Sequence, residues 1–442
     1  MTDTLTVCAH LSPLQDELQH AKTSCIQCGF CLPKCPTYRL TGREVDSPRG
    51  RIDLMQAVAA GELTPAEMAP HLDFCLGCRA CETACPAGVE YGKLLEAGRA
   101  ETLESAPGAR LRAWIQRWCW QALLPSPDLL QHLTGLLYAY QVSGLQSLVR
   151  ASGLLPRLAP ALAAMEQLLP EVPSAVARRP LPACTPALGE ERGTVALLTG
   201  CIMPVLLPQV HQASARVLTR NGYTVLVPPA QRCCGALPAH AGDLAQARRL
   251  ARQNIAAFEV SGAEWIVVNA AGCGALMKEY GHLLRYDPVF AGRAAALSQR
   301  VCDISELLAR APLRGPLQPV PLRVAYDDPC HLQHGQHIQQ PPRDLLRQVP
   351  QLALLDVPDN EWCCGSAGIY NLLHPETARA LLEHKLTQLL CVQPQLLVTG
   401  NPGCILQLRQ GLRQQHLDLE VLHPVEVLDR AYAPGSPVRS GL

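Results

Sequence analysis

The second half of the chain shows the clearest alternation of apolar and polar stretches. Short apolar runs, typical of buried strands, alternate with longer stretches whose apolar residues recur at helical spacing. The runs form two series, at 194–201, 223–227 and 265–268 and again at 322–326, 352–356 and 395–399. Helices predicted over 242–260 and 375–390 occupy corresponding places in the two series. The pattern predicts two similar α/β units with mainly parallel sheets.

The first half of the chain is predicted to be helical. The stretch 48–61 has apolar residues at helical spacing and ends on Gly61, a frequent residue at a helix C-terminus. Residues 111–170 predict a helical connector, which we expect to pack against the cysteine-rich head; a face for a membrane surface or a partner subunit is the alternative. Polar side chains interrupt its uncharged stretch 129–149, so no membrane-spanning helix is predicted. Residues 170–186, rich in Pro and Ala, predict a linker.

Two cysteine runs near the N-terminus carry the most specific chemistry in the sequence. Each follows the pattern C-x2-C-x2-C-x3-C-P. The cysteines are Cys25, Cys28, Cys31 and Cys35 in the first run and Cys75, Cys78, Cys81 and Cys85 in the second run. This is the ligand pattern of a two-cluster ferredoxin. Structural zinc sites use two pairs of ligands, so four cysteines and a proline in each run favour [4Fe-4S] clusters over zinc.

The ferredoxin pattern assigns the eight cysteines to two crossed sets, because the fourth cysteine of each run ligates the other cluster. The first cluster set is Cys25, Cys28, Cys31 and Cys85, and the second cluster set is Cys75, Cys78, Cys81 and Cys35. Five basic residues lie near these ligands in the sequence: Lys34, Arg43, Arg49, Arg51 and Arg79. Their charge would favour the reduced, more negative cluster, although a solvated basic face explains them equally well.

A further eight cysteines follow the predicted strands of the C-terminal half. The first thiol set is Cys201, Cys233, Cys234 and Cys273, and the second thiol set, at nearly the same spacing, is Cys330, Cys363, Cys364 and Cys404. The two units resemble the cysteine-rich CCG domains of heterodisulfide reductase subunits, which end in C-x2-C and can hold a non-cubane [4Fe-4S] cluster. This chain has Ala270 and Asn401 at the first position of that C-x2-C. Each thiol set therefore fits a cluster, a redox-active thiol site or a buried structural remnant.

Composition narrows the choice of function further. The chain has 442 residues, 48% of them hydrophobic, which suffices for two or three domains with cores. Its formal net charge of zero gives no indication of nucleic acid as a partner. The first ten residues lack the features of a signal peptide, so the 21 cysteines are expected to stay reduced in the cytoplasm. The cysteines outside the motifs are expected to be core or surface thiols: Cys8, Cys119, Cys184, Cys302 and Cys391.

Local sequence favours one family among those that join a helical two-cluster ferredoxin to two CCG domains. The stretches 47–55, 71–86, 272–281 and 363–370 resemble glycolate oxidase iron-sulfur subunits, and the resemblance covers nearly the full length. It implies an electron-transfer subunit that works with FAD-containing subunits, which oxidise glycolate, and often D-lactate, and that passes electrons to a quinone or another acceptor. It also implies a cytoplasmic location, with peripheral attachment to the inner face of the cell membrane as the alternative.

The sequence gives no site for hydride transfer in this chain. It has neither a G-x-G-x-x-G pattern after a strand nor a P-loop, so FAD is expected on the partner subunits. His240, His331 and His334 near the CCG motifs are predicted to be polar loop residues, and no catalytic residue is assigned. The alternatives are the iron-sulfur subunit of anaerobic glycerol-3-phosphate dehydrogenase, a thiol–disulfide enzyme like heterodisulfide reductase, and a structural adaptor.

The expected organisation is a mainly α-helical ferredoxin domain with two [4Fe-4S] clusters, followed by two α/β CCG domains. We place the ferredoxin domain at residues 1–105 and a helical connector with a Pro/Ala-rich linker at 106–192. The first CCG domain is placed at 193–312 and the second at 320–432. Further clusters in the CCG domains are included in this expectation.

Overall fold

The chain divides into two compact units. The computed structural model describes residues 12–103, 114 and 118–432, so Cys8 lies outside the described residues. Unit 1 contains Met1–Gln116 and the segment Pro238–Leu244, and unit 2 contains Arg117–Leu237 and Ala245–Leu442. Both cysteine runs belong to unit 1, and both thiol sets belong to unit 2.

Among the residues described, the regular elements of unit 1 are all helices, which loops connect. Its helices are α1 (Pro13–Ser24), α2 (Pro36–Thr41), α3 (Pro48–Ala60), α4 (Pro65–Asp73), α5 (Ala80–Thr83) and α6 (Tyr91–Thr102), with a 3-10 turn at Glu44–Asp46. Helix α3 confirms the helix predicted over 48–61. Ser47 caps it by accepting a hydrogen bond from the amide of Gly50, and Gly61 ends it with φ 77°. Helices α1, α3, α4 and α6 contribute the apolar core.

The connector is helical as predicted, but it belongs to unit 2. It contains a π-helical turn (Cys119–Leu123) and helices α7 (Pro127–Val142), α8 (Leu145–Ser152), α9 (Leu154–Leu158) and α10 (Pro160–Gln167). Our expectation that it packs against the cysteine-rich head stays a prediction. Inside unit 2, Arg178 ties the following segment to α7, because its Nη1 donates to Thr134 Oγ1 at 2.6 Å. Every helix among the described residues is too short or too polar to span a bilayer.

The first CCG domain contains a five-stranded sheet in the order β1-β3-β2-β4-β5. The strands are β1 (Cys184–Thr185), β2 (Gly193–Leu197), β3 (Tyr223–Leu226), β4 (Trp265–Val268) and β5 (Val301–Asp303). The helices are α11 (Met203–Leu206), α12 (Pro208–Arg220), α13 (Ala236–His240), α14 (Leu244–Ser261), α15 (Ala271–Lys278), α16 (Tyr280–Leu283), α17 (Ala291–Arg300) and α18 (Ile304–Leu308). All strand pairs are parallel except β1 with β3, because the end of the predicted linker forms an antiparallel edge strand.

The second CCG domain repeats the arrangement with a four-stranded parallel sheet in the order β7-β6-β8-β9. The strands are β6 (Arg323–Asp327), β7 (Ala353–Leu355), β8 (Leu396–Thr399) and β9 (Val421–Leu422). The helices are α19 (Gln340–Arg347), α20 (Tyr370–Leu373), α21 (Pro375–Cys391), α22 (Pro402–Gln414) and α23 (Pro424–Tyr432), with a π-helical turn at His331–Gly335. The order β7-β6-β8-β9 matches β3-β2-β4-β5 strand for strand, which confirms the predicted repeat of two α/β units.

Candidate metal centres

The two cysteine runs follow the same backbone path. In each run, the second residue after the first cysteine and the residue after the second cysteine adopt the left-handed conformation. These residues are Gln27 (φ 56°) and Gly29 (φ 82°) in the first run, and Gly77 (φ 66°) and Arg79 (φ 65°) in the second run. The left-handed conformation costs a residue with a side chain about 1–2 kcal/mol. Gln27 and Arg79 adopt it nevertheless, which indicates that the surroundings impose the shape of the loop.

The two predicted cluster sets differ in exposure. Cys35, Cys75 and Cys81 of the second cluster set are buried, at 6–8% exposed, and Cys78 is partly exposed. In the first cluster set Cys28 is exposed, and Cys25, Cys31 and Cys85 are partly exposed. The second cluster set therefore lies in the core of unit 1 and the first lies near its surface.

The structure brings Cys35 of the first run to the cysteines of the second run. Burial raises the pKa of Cys81 well above its ordinary value, and the neighbouring Cys78, Cys75 and Cys35 raise it further. Burial likewise raises the pKa of Cys31, to which Cys35 and Cys25 add. Cys35 thus lies close enough to act electrostatically on both runs, as a crossed ligand must. The assignment of the eight ligands stays a prediction.

Several groups in unit 1 donate hydrogen bonds to these sulfurs. The Tyr91 hydroxyl lies 3.8 Å from Cys75 Sγ, and the amide of Gly77 lies 3.4 Å from the same sulfur. The Thr37 hydroxyl lies 3.2 Å from Cys35 Sγ, but it donates its proton to the carbonyl oxygen of Asp46 at 2.8 Å. Hydrogen bonds to sulfur are among the factors that set the reduction potential of an iron–sulfur cluster, so this environment fits a cluster bound at the second cluster set.

Of the basic residues near the ligands, several form ion pairs with carboxylates and one is fully buried. Arg49 pairs with Glu44 at 2.6 Å, and Arg79 pairs with Glu82 at 2.9 Å. Arg51 is fully buried. Sequence reasoning missed Arg99, whose Nη2 donates to the carbonyl oxygen of Cys75 at 2.6 Å. No motif indicates Arg99, because it lies on α6, 24 residues after Cys75.

The first thiol set lies at the carboxyl ends of strands, as predicted. Cys233 and Cys234 are buried, and Cys201 and Cys273 are partly exposed. A hydrogen bond between the side chains of Cys201 and Cys233 lowers the pKa of Cys233 and raises that of Cys201. A hydrogen bond holds the backbone of the vicinal pair, because the Tyr280 hydroxyl donates to the carbonyl oxygen of Cys234 at 2.6 Å.

The second thiol set is more deeply buried than the first. All four cysteines are buried, and Cys364 Sγ lies 3.4 Å from Cys404 Sγ. The hydrogen bond with Cys330 is the main cause that raises the pKa of Cys363 well above its ordinary value, and the hydrogen bond with Cys363 raises the pKa of Cys364 in the same way. Asn401, which stands where CCG domains have a further cysteine, donates from Nδ2 to Cys404 Sγ at 3.5 Å.

The glycine of each CCG motif is required by the turn that it makes. Gly235 and Gly365 adopt φ values of 89° and 85°. A Cβ at Gly365 would lie 2.5 Å from the carbonyl oxygen of Ala378 on α21. The absence of a side chain therefore lets the vicinal cysteines approach the helix closely.

A buried ion pair distinguishes the second CCG domain from the first. Lys385 Nζ lies 2.6 Å from Asp327 Oδ1, and the two side chains are 0% and 1% exposed. The ammonium donates to the carbonyl oxygen of Asn360 at 2.7 Å. Burial by itself would lower the pKa of Lys385, but Asp327 raises it above the ordinary value, and Cys330 and Cys364 add to this effect. The second thiol set thus has a buried cation nearby.

The loops that carry the two thiol sets meet inside unit 2. The amide of Ala271 donates to the carbonyl oxygen of Gly400 at 3.3 Å, and Gln336 Nε2 donates back to the carbonyl oxygen of Ala271 at 2.9 Å. The nearby His331 and His334, predicted to be loop residues, belong instead to the π-helical turn, and His334 is buried. The two thiol sets therefore share one interface between the CCG domains.

The remaining described cysteines and His240 belong to none of the cluster sets or thiol sets. Cys302 is buried in β5, Cys119 is partly exposed, and Cys184 and Cys391 are exposed. His240 Nδ1 lies 2.8 Å from Glu96 Oε1 within unit 1. In the described ranges, no three His, Cys, Asp or Glu side chains converge on a position for a single metal ion.

Three family models match the chain. A model described as "4Fe-4S dicluster domain" matches residues 21–89, which contain both cysteine runs. A model described as "Glycolate oxidase iron-sulfur subunit, linker region" matches residues 111–169. A model described as "Cysteine-rich domain" matches residues 195–278 and 324–409. These matches confirm the ferredoxin-like region and the two CCG domains, and they support iron–sulfur clusters in this chain.

Two relatives match the chain in sequence over about nine-tenths of its length, and a third matches about half of it. The chain is 39% identical to the "Probable glycolate oxidase iron-sulfur subunit" of Bacillus subtilis, over 90% of both chains. It is 36% identical to the "Glycolate oxidase iron-sulfur subunit" of Escherichia coli, over 92% of this chain and 93% of that protein. "Lactate utilization protein A" of Oceanobacillus iheyensis is 28% identical over 53% of this chain and 96% of its own length.

Proposed function

The chain belongs to the family of glycolate oxidase iron-sulfur subunits, and on this basis we propose that it is the electron-transfer subunit of an oxidoreductase complex that oxidises glycolate. D-lactate is the second substrate that we propose for the complex, in view of the similarity to a lactate utilization protein. The observation that carries the proposal is the paired winding of the two cysteine runs, which repeat the same left-handed positions and bring Cys35 to the second run.

We further propose that unit 1 holds two [4Fe-4S] clusters. Cys25, Cys28, Cys31 and Cys85 would hold the first, and Cys75, Cys78, Cys81 and Cys35 would hold the second. When bound, such clusters accept and release single electrons. The chain itself contributes the thiolates, hydrogen bonds from the Tyr91 hydroxyl and the Gly77 amide to sulfur, and a core that keeps water from most of the second cluster set.

The CCG domains are proposed to hold at least one further iron–sulfur cluster. Four thiols meet in each domain, and the second thiol set is wholly buried beside the Lys385 ammonium. The ligands proposed, with less support than the ferredoxin cysteines, are Cys201, Cys233, Cys234 and Cys273 in one domain and Cys330, Cys363, Cys364 and Cys404 in the other. Two clusters alone correspond to about eight iron atoms per chain, and each further [4Fe-4S] cluster adds about four. An iron determination on the anaerobically purified chain distinguishes these cases.

The partners proposed are FAD-containing subunits that oxidise the hydroxy acid and a quinone or another electron acceptor. This chain has no recognised dinucleotide-binding pattern and no residue assigned to hydride transfer. We therefore propose that hydride chemistry takes place on the FAD of the partner subunits, at a cytoplasmic location, with peripheral attachment to the inner membrane face as the alternative.

The test is anaerobic purification of the chain with its flavoprotein partner, followed by EPR spectra before and after addition of glycolate. A reduced-cluster signal with glycolate, and none with glycerol 3-phosphate, is the expected result. A signal with glycerol 3-phosphate alone would replace the proposal by the glycerol-3-phosphate dehydrogenase alternative. If neither substrate produced a signal, a disulfide substrate for the thiol sets would be tested instead.

A further inference from the structure

Arg51 on α3 is the largest fully buried side chain among the described residues, and it carries a positive charge. Its Nε donates to the carbonyl oxygen of His71 at 2.8 Å, and its Nη2 donates to Thr37 Oγ1 at 3.1 Å. Both acceptors are uncharged. Its Nη1 is buried and has no hydrogen-bond partner among the residues that the structure describes. A buried charged donor without an acceptor is unfavourable, so Nη1 requires a group that the protein chain does not supply.

The surroundings of Arg51 indicate what that group is. The Thr37 hydroxyl that accepts from Nη2 also lies 3.2 Å from Cys35 Sγ. Burial by itself would lower the pKa of Arg51, but Cys75, Tyr91 and Cys35 lie close enough to raise it above its ordinary value. The guanidinium thus lies within electrostatic range of two thiols of the second cluster set, one from each cysteine run, and Thr37 links it to Cys35.

The nearest carboxylate has other partners. Asp46 also acts electrostatically on Arg51, but its Oδ1 lies 3.3 Å from His71 Nδ1 and its Oδ2 lies 3.7 Å from Arg43 Nε. Asp46 therefore leaves the Nη1 donor of Arg51 available for a sulfur acceptor.

We propose that Arg51 is a positioning residue of the second cluster set: its Nη1 donates a hydrogen bond to a sulfur of the cluster held by Cys35, Cys75, Cys78 and Cys81, and its charge raises the reduction potential there. The inference rests on the proposed function, because it requires a cluster at these four thiols. Reduction adds negative charge to a site from which water is largely excluded, and a buried cation stabilises that charge most strongly where screening is weakest.

The first cluster set does not depend on a buried cation to stabilise its reduced state. Cys28 is exposed, so water can stabilise added charge there. Arg49, whose Nη1 donates to the carbonyl oxygen of Gln27 in the first run at 3.1 Å, is paired with Glu44 at 2.6 Å, which cancels most of its field. The effect of Arg51 is therefore expected at one of the two clusters and not at the other.

The test is an EPR-monitored redox titration of the anaerobically purified full-length chain, with iron content measured on the same samples. Three variants are compared with the wild type: Arg51→Gln, Arg51→Lys and the control Arg39→Gln, which removes the same charge from an exposed side chain on α2. We expect Arg51→Gln to change the reduced-to-oxidised ratio of one cluster at least about tenfold at a fixed poise, equivalent to lowering its potential by about 59 mV for a one-electron couple. The other clusters should keep their potentials, and Arg39→Gln should change none of them.

Arg51→Lys keeps the charge but cannot donate along three directions at once in the guanidinium plane, so it should lower the same potential by a smaller amount. If Arg51→Gln keeps the wild-type iron content and every cluster keeps its wild-type potential, the proposal is refuted. If Arg51→Gln loses iron, the lysine variant decides, and wild-type potentials in that variant would refute the hydrogen bond from Nη1. A wild-type chain without reducible clusters would contradict the proposed function itself.

Discussion

Replacement of Lys385 by Met is expected to destabilise the second CCG domain strongly. Lys385 lies on α21 and pairs with Asp327 at the end of β6, and both side chains are buried. The substitution keeps most of the apolar stem and removes the ammonium. It leaves the Asp327 carboxylate with the Thr399 hydroxyl, at 2.8 Å from Oδ2, as its remaining close partner among the described residues.

The expected magnitude follows from the burial of the pair. Breaking a buried ion pair by removing one partner costs about 3–5 kcal/mol, because the charge that remains is uncompensated. Removing both charges in Asp327→Asn/Lys385→Met should restore most of this loss, since replacing a whole buried pair is often close to neutral. The double variant should therefore be more stable than Lys385→Met alone.

The assay is native-state hydrogen exchange of the full-length chain under anaerobic conditions, read on peptides that cover β6 and β8. These central strands report the opening of the whole domain. A loss of 3–5 kcal/mol corresponds to exchange about a hundredfold to several thousandfold faster.

Lys278→Met provides the matched control. Lys278 pairs with Glu306 at 2.8 Å, but the two side chains are 24% and 30% exposed, so solvent screens the pair. This variant should cost at most about 1 kcal/mol. If Lys385→Met exchanged as slowly as Lys278→Met, or if the double variant were less stable than the single one, the reasoning from burial would be refuted.

Three further changes have expected outcomes. Cys81→Ser should stop electron throughput of the complex while the flavoprotein partner stays folded; wild-type glycolate-to-quinone turnover would contradict the relay role. Burial lowers the pKa of His423 to about 3. The unfolded chain therefore takes up a proton first as the pH falls below about 6.5, and stability is lost by about 1.4 kcal/mol per pH unit down to about pH 3. His423→Asn should reduce that slope in urea unfolding measured across this pH range, and an unchanged slope would contradict it. Gly365→Ala should lower the free energy of unfolding by about 2 kcal/mol or more, because Gly365 has a left-handed φ and the added Cβ would clash with Ala378. The control Gly315→Ala should cost about 1 kcal/mol, because Gly315 is left-handed but has open space around it. Equal urea midpoints of the two variants would refute the clash.

The sequence predicted the central strands well and the edge strands poorly. Strands β2, β4, β6 and β8 are apolar runs buried on both faces, which a sequence displays directly. Strand β9 has two residues and β5 has three, too few for a periodic pattern, so both were missed. Strand β1 lies within the Pro- and Ala-rich stretch and exists because β3 offers an unpaired edge, which is a tertiary property.

The sequence identified the thiols but not the charges that surround them. It grouped Arg49 and Arg51 as neighbours, yet two residues along a helix differ by about 200° in direction. One side chain therefore reaches Glu44 near the surface and the other enters the core. Lys385 and Asp327 gave no signal either, because they lie 58 residues apart (385 − 327) and meet only when α21 packs beside β6.

If the two cluster sets hold clusters as proposed, their unequal exposure would impose an order on iron loading and repair. Cys75 and Cys81 lie in the core formed by α1, α3, α4 and α6, and Cys35 is buried as well, so we expect a cluster to enter the second set before unit 1 closes or while it is transiently open. The first set, with Cys28 at the surface, can be filled in the folded protein. After oxidative loss of iron, the outer site can be rebuilt in place, whereas an emptied inner site commits the subunit to partial unfolding or to replacement by newly synthesised protein.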